Sequence, residues 1–247
     1  MNTLPLISII TSTLNDAKAL QQTINSVAHT THYPVEYIVI DGGSTDSTID
    51  VIKASSSVIT NYISEKDSGI FDAWNKGLLL ASGDYISFLG AGDIYVDGGL
   101  ELLVACAVAH PKADFISSKI IVTEDDRVIR TLGSAWRWRT FRHYMNTAHT
   151  GALHSRRLFN EYGKFDTCYK IAGDYDFLLR ANNKLNAAYV DVVTVKMIAG
   201  GVSYVGHQVF YETESAKIKN HATSSFVARS DRYIAQTKRF IRQWLTV

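Results

Sequence analysis

Four acidic residues stand where carboxylate chemistry is within reach. Asp41 closes the apolar run Tyr37-Ile38-Val39-Ile40 and is followed by Gly42 and Gly43. At the end of a buried strand, beside glycines that let a ligand edge reach the backbone, a carboxylate can accept hydrogen bonds from a ribose or a pyrimidine N–H. It can instead hold its own turn through Gly42-Gly43-Ser44. Asp93 ends the small-residue loop Gly90-Ala91-Gly92-Asp93. Mg²⁺ and Mn²⁺ take oxygen ligands, usually a carboxylate or two with phosphate oxygens and water. One Asp on such a loop leaves room for a diphosphate to supply the rest; the alternative is a turn or helix cap. Asp174 and Asp176 flank Tyr175. Either could serve as a general base toward an attacking hydroxyl, or could simply cap a helix and favour its dipole.

The elements that position these residues are legible in the first ~110 residues. Leu6-Ile7-Ser8-Ile9-Ile10-Thr11 is a β-rich run, and Asn15 and Asp16 can cap a helix carrying Ala17, Leu20, Ile24, Val27 and Ala28 at helical spacing. A strand ends at Asp41, a short helix follows, and a strand over 59–64 precedes Asp67-Ser68-Gly69. Ile70, Phe71, Trp74, Leu78 and Ala81 form the next helical stripe, 85–89 the next strand, and Asp97 the expected cap of a helix with Leu100, Leu103, Val104 and Ala107. The order β-α-β-α-β-α-β predicts an α/β fold, a Rossmann-like, mostly parallel sheet with helices on both faces. Ligands of such sheets bind outside the carboxyl ends of the strands, which sets Thr11, Asp41, Asp67 and Asp93 on one rim.

The second half is less regular. Residues 114–130 alternate like antiparallel strands around Asp125-Asp126, a helix is expected from Tyr175 to about Lys184, and a strand over 188–195. The segment 136–143 (Trp-Arg-Trp-Arg-Thr-Phe-Arg-His) is basic and aromatic. It suits an acidic or lipid-diphosphate ligand, and equally a solvated loop with two packed tryptophans. Residues 230–245 read as an amphipathic helix, suited to a membrane surface or to packing on the domain or a second copy. The expected organisation is 1–110 as a ligand-binding first half, 111–222 as the second half of the same domain, and 223–247 as a C-terminal helix.

Bulk properties narrow the partners. The 247 residues carry a net charge of +1, with 46% hydrophobic and 20% charged residues, which excludes a disordered chain and offers no overall field for nucleic acid. Cys106 and Cys168 lie far apart and in no metal-binding spacing, as in a reducing compartment. No signal-like run opens the chain, and no stretch approaches the roughly 20 apolar residues of a membrane span. These features predict a cytoplasmic protein, free or peripheral on the inner face of the membrane.

Three runs occur in order at fitting separations: 38–46 (Ile-Val-Ile-Asp-Gly-Gly-Ser-Thr-Asp), 64–77 (Ser-Glu-Lys-Asp-Ser-Gly-Ile-Phe-Asp-Ala-Trp-Asn-Lys-Gly) and 81–93 (Ala-Ser-Gly-Asp-Tyr-Ile-Ser-Phe-Leu-Gly-Ala-Gly-Asp). Together they resemble family 2 glycosyltransferases of the GT-A fold, in the bacterial exopolysaccharide and lipopolysaccharide branch that includes colanic-acid-type enzymes. The likeness is dense over 5–97 and thinner over 143–203, where His149, Gly173-Asp174-Tyr175, Arg180 and Gly200-Gly201-Val202-Ser203 match in order. The resemblance implies an inverting transfer of a sugar from a nucleotide diphosphate donor, by default a UDP-sugar, to a hydroxyl of a glycan or lipid-linked oligosaccharide.

It also implies roles. Thr11 and the loop after it would line the nucleotide site, Asp41 would bind base or ribose, and Asp67 would sit at the nucleotide pocket with Lys76 adjoining. Ala91 and Gly92 would approach the donor. Asp93 matches the last carboxylate of the family's Asp-x-Asp motif for Mn²⁺ or Mg²⁺, and Asp174 its catalytic base. His149, Arg180, Gly200 and Gly201 would lie on the acceptor side, His149 being equally readable as a satisfied buried histidine. Many relatives carry Asp or Asn where this chain has Gly90, so the metal motif is reduced to one acid. Two rival classes are a sugar nucleotidyltransferase and a non-catalytic nucleotide-sugar-binding module. The first lacks its glycine-rich basic loop at 11–16; the second is opposed by the retention of Asp93 and Asp174.

Overall fold

The computed structural model describes residues 4–30, 33–201 and 206–245. Its first half is a run of βα units: β1 (Ile7–Thr13), α1 (Ala17–Ala28), β2 (Val35–Asp41), α2 (Thr48–Ala54), β3 (Asn61–Ser64), α3 (Ile70–Leu80) and β4 (Tyr85–Gly90). β1 pairs in parallel with β2 and β4, and β2 with β3, so the strand order β3-β2-β1-β4 sets β1 centrally and aligns the carboxyl ends of β1, β2 and β4.

Strand alternation divides the core. Ile7 and Ile9 with Tyr37 and Val39 face a layer containing Leu20, Ile24 and Val27 of α1. Ile10 with Ile38 and Ile40 faces the opposite layer, which holds Phe71 and Trp74 of α3. Burial of each such side chain stabilises by roughly 1.5–3 kcal/mol, so a one-residue register slip would be costly along both strands. Asp16 caps α1, its carboxylate accepting from Ala19 N at 3.1 Å. Gly77 lets α3 lie directly on β1, since a Cβ there would stand 2.5 Å from Ile10 Cγ2.

The second half extends the same sheet. It contributes β5 (Ile94–Tyr95), α4 (Gly99–Ala109), β6 (Phe115–Glu124), β7 (Arg127–Leu132), α5 (Trp138–Phe141), β8 (Leu153–Ser155), α6 (Arg156–Tyr162), α7 (Gly173–Ala181) and β9 (Ala187–Ile198). Beyond β4 the order continues β8-β6-β9-β5, with β8 antiparallel to β4 and β6, β9 parallel to β6, and β7 antiparallel on β6. The turn expected at Asp125-Asp126 joins β6 to β7 with positive φ at both residues.

Asp97 does not cap α4. Gly98 holds the N-cap position at φ +72 without a side-chain cap. Gly99 sits against β9, where a Cβ would stand 2.4 Å from Thr194 O, so a close helix–strand approach sets the helix start. Helices α8 (Gln208–Lys219) and α9 (Ser225–Leu245) close the chain. α9 begins five residues before the expected 230, because Ala228 is already buried. Among the described residues no helix is long and apolar enough to cross a membrane.

Candidate active site

Asp41 is fully buried at the end of β2. Its carboxylate accepts from Ser44 N at 3.1 Å, from the Ser44 hydroxyl, and from Ser64 Oγ at 2.6 Å. The hydroxyl of Ser44 in turn accepts from Asn15 N at 2.7 Å, and Asn15 Oδ1 accepts from Thr45 N at 2.7 Å. Asp41 therefore fixes the rim loops after β1 and β2 to each other. The bond from Ser44 N is the contact a turn carboxylate makes.

Asp67 is the more accessible acid of this corner. One oxygen accepts from Gly69 N at 2.9 Å, and the other lies over Gly42, where a Cβ would stand 2.7 Å from it. The absence of a side chain at Gly42 thus gives Asp67 its place on the rim. Lys76 holds the same loop from α3, donating to Lys66 O at 2.8 Å and pairing with Glu65 at 2.9 Å. Thr11 is fully buried and its hydroxyl accepts from Tyr37 Oη at 3.2 Å, so its side chain belongs to the core and not to the rim.

Asp93 closes the turn after β4. Its carboxylate accepts from Gly90 N at 2.9 Å and is 9% exposed. Burial pushes its pKa up to about 7, against the opposing pull of the Gly90 and Ile198 backbone N–H groups. Among the described residues it makes no salt bridge, and no group of three or more His, Cys, Asp or Glu gathers anywhere. A buried carboxylate without a counter-charge is a donor that a cation would relieve. The residues present therefore fit a divalent ion that draws its other ligands from a bound diphosphate. Ala91 and Gly92 pack behind this turn, Ala91 N donating to Ser12 O at 3.1 Å and Gly92 N to Thr23 Oγ1 at 2.9 Å. A cavity of about 780 Å³ lies beyond Gly92, between α1, β5 and the end of β9, and its lining includes none of Asp41, Asp67, Asp93 and Asp174.

The two acids of α7 part company. Asp176 is fully buried and is consumed by structure: it pairs with Arg180, accepts from Asn220 Nδ2 at 2.9 Å and lies 3.3 Å from Lys219 Nζ. Arg180 also donates to Tyr162 O and Lys164 O, so its guanidinium braces the region and does not face an acceptor. The i,i+4 spacing of Asp176 and Arg180 was a readable signal for this pair. Asp174 is half-buried and accepts from Tyr175 N at 2.7 Å. Burial pushes its carboxyl up to about 6, with a small contribution from the charge of Glu212.

α7 starts directly against the rim. A Cβ on Gly173 would stand 2.7 Å from the Phe71 ring, and Lys170 Nζ donates to Ser68 O at 2.6 Å, so Asp174 follows a loop docked on the start of α3. Glu212 of α8 fixes that loop. Its carboxylate accepts from three successive backbone N–H groups, Lys170 at 3.0 Å and Ile171 and Ala172 at 2.8 Å each. Sequence reasoning missed Glu212; a side chain that reaches backbone groups 40 to 42 residues away leaves no spacing pattern. Glu212→Ala leaves three amides without their acceptor, and the thermal midpoint is expected to fall by roughly 5–10 °C, read by calorimetry. An unchanged midpoint would mean that the loop is held from elsewhere.

His149 is buried, stacked on Trp74 at 5.2 Å and Phe88 at 5.5 Å between ring centroids. Burial, assisted by His154, holds its pKa well below the usual histidine value, so it is a neutral wall of the core. Gly200 turns at φ +96, and among the described residues no atom lies within 4 Å of the Cβ position of Gly200 or Gly201. Val202 and Ser203, which follow them, lie outside the described residues.

The arrangement is a strand-end rim with an accessible acid, two buried acids and a fourth acid of raised basicity brought in by α7. The model of Glycosyl transferase family 2 matches residues 8–167 of the chain. The chain is a family 2 glycosyltransferase. A relative, the PGL/p-HBAD biosynthesis glycosyltransferase of Mycobacterium bovis, is 30% identical over 195 residues, covering 76% of this chain and 75% of the relative. Among solved structures, residues 1–349 of S. aureus TarS in complex with UDP-GlcNAc align with a TM-score of 0.69 at 18% identity, over 92% of this glycosyltransferase and 70% of that chain. The mannosyltransferase PcManGT from Pyrobaculum calidifontis, in complex with GDP-Man and Mn²⁺, aligns with a TM-score of 0.67 at 16% identity, over 95% and 74%. These likenesses show the GT-A fold, a sheet curled under helices with its carboxyl rim open.

Proposed function

We propose that this glycosyltransferase moves a hexosyl or N-acetylhexosaminyl group from a nucleotide diphosphate donor to a hydroxyl of a bacterial glycan or lipid-linked oligosaccharide, with inversion. The observation that carries the reading is Asp174: a carboxyl at about 6, without a cationic partner among the described residues, at the start of a helix docked on the donor rim. A base of that strength is ionised near neutral pH yet basic enough to draw a proton from an attacking hydroxyl. TarS in its UDP-GlcNAc complex and PcManGT in its GDP-Man complex support a sugar-nucleotide donor, and a UDP-sugar remains the favoured one.

In this reading 1–110 carry the donor and 111–222 the acceptor. Asp67 and the backbone at Gly42 and Gly43 meet the nucleoside, with Asp41 and Lys76 holding their loops. Asp93 would hold Mn²⁺ or Mg²⁺, which neutralises charge on the leaving diphosphate when bound. Asp174 takes the acceptor proton, and the new bond forms on the face opposite the nucleotide. His149 and Trp74 form the apolar wall behind the reacting groups. The work is set on the cytoplasmic side, where nucleotide sugars are made.

The test is a thermal-shift screen of UDP, GDP, CDP and dTDP with and without Mn²⁺, followed by release of nucleoside diphosphate from the matching sugar donor. Stabilisation by one nucleotide that needs Mn²⁺, with slow donor hydrolysis, is the expected outcome. Release of pyrophosphate from a triphosphate would move the enzyme to the nucleotidyltransferases, and binding without any turnover would leave it a binding module.

A further inference from the structure

Helix α9 buries its small and ionic side and leaves its apolar side open. Toward α8 it turns Ala228, fully buried, Asp231, which meets Lys217 Nζ at 2.9 Å and His143 Nδ1 at 3.0 Å, and Arg232, which pairs with Glu214. On the other side Phe226, Tyr233, Ile234, Phe240, Ile241 and Trp244 are between 49 and 81% exposed. At 3.6 residues per turn these six side chains fall in a sector roughly 120° wide, centred opposite Ala228. Among the described residues, six large apolar side chains on one helix face form a surface without a partner, unlike the single exposed leucines of any protein.

The charge around this face is one-sided. The helix sequence carries Arg229, Arg232, Lys238, Arg239 and Arg242 against a single acid, Asp231, which Lys217 already neutralises. Arg229 and Lys238 are exposed at the two edges of the apolar sector, Arg229 also reaching Glu214 of α8 at 3.7 Å. The His143–Asp231 contact brings the basic segment 136–143 alongside, with Arg137, Arg139 and Arg142 exposed. In a chain of net charge +1 these cations are a local concentration.

Two features favour a lipid surface over a second copy of the chain. The seam at 226, 230, 233, 237, 240 and 244 alternates aromatics with Ser230 and Thr237, whose hydroxyls turn back to Phe226 O and Tyr233 O. Small notches between aromatics do not supply the aliphatic knobs of a helix dimer, and a two-fold pairing would set like charges together at both edges. Phe, Tyr and Trp flanked by Arg and Lys instead match the two layers of a membrane interface, acyl boundary and anionic headgroups.

We propose that this face docks on an anionic bilayer, with α9 lying in the headgroup plane and the segment 136–143 at its margin. The proposal is independent of the sugar chemistry assigned to the strand-end rim.

The full chain is sedimented with vesicles of phosphatidylcholine alone or with about one-third phosphatidylglycerol, at about 0.1 and 0.5 M salt. Binding is expected to the anionic vesicles only, and to weaken at the higher salt. Phe240→Ser with Trp244→Ser, and separately Lys238→Glu with Arg229→Glu, should each lower the partition on the order of tenfold or more. All four residues are exposed, so circular dichroism and the thermal midpoint serve as fold controls. Failure to bind anionic vesicles, or equal binding by the Ser double variant, overturns the proposal. So does a dimer in light scattering that the same Ser double variant converts to monomer, since that assigns the face to a second copy.

Discussion

Asp174→Asn is expected to lower the transfer rate by roughly 10²–10⁴-fold while leaving nucleotide binding within about twofold. The amide keeps the shape and the acceptor oxygen that takes Tyr175 N, so α7 retains its start. What it loses is the ability to accept a proton. The pH profile of the unaltered enzyme gives a second reading of the same group. Its carboxyl is raised to about 6, so activity should fall with a limb near that value as pH drops and the base becomes protonated.

Stability should move the other way. A carboxyl whose pKa is higher in the folded than in the unfolded chain destabilises the fold where it must ionise: fully above about 6, progressively less down to its ordinary value, and not below it. Asp174→Asn therefore gains about 1–2 kcal/mol above that range and loses the gain as pH falls toward 4, after a discount for its partial exposure. Calorimetry across pH, beside single-turnover assays, checks both signs. A variant that keeps full turnover removes Asp174 from proton transfer, and a variant no more stable than its parent at high pH removes the burial argument.

The parts of this molecule that could be read from sequence are those whose physics is local. Each βα unit of the first half closes its own hydrophobic pattern within some thirty residues, so β1, β2, α3 and β4 carry their periods openly. The chemistry of the rim is local as well, since Asp41 ends a strand and Asp67 and Asp93 each follow one. What could not be read is which carboxylate does which work. Asp41 and Asp67 have similar settings in sequence, yet Ser44 and Ser64 surround the first and leave the second at the rim. The same holds for Asp174 and Asp176, told apart by Arg180, Lys219 and Asn220. β5 and β8 have two and three residues, too few for any period, and exist because β9, β4 and β6 offer them edges. β1 is buried on both faces, so Thr11 cannot turn outward on either phase, which the one-residue ambiguity of a short strand hides in sequence.

Asp93→Ala is the other substitution with a large expected effect, and its consequence lies on the opposite half of the reaction. Removal of the one acid in the turn after β4 should abolish the gain in nucleotide diphosphate affinity that Mn²⁺ confers, with metal-free binding unchanged, and lower kcat/KM by roughly 10²–10³-fold. Titration calorimetry of the nucleotide with and without Mn²⁺ reads the first effect directly. The carboxylate also accepts from Gly90 N, so part of any loss in the alanine variant comes from a loosened turn. Asp93→Asn keeps that acceptor and removes the charge, and should behave like alanine toward Mn²⁺ while melting no lower than the parent, and above it at high pH where the buried carboxyl must ionise. If both variants retain metal-enhanced binding, Asp93 is a turn residue only. Gly90 allows the same idea to be pushed in reverse. A Cβ there would stand 3.2 Å from Asp93 Oδ2, so Gly90→Asp sets a second carboxyl beside the first. Two acids held that close repel unless a cation lies between them, so this variant should bind Mn²⁺ without nucleotide, and be less stable than its parent when the metal is withheld.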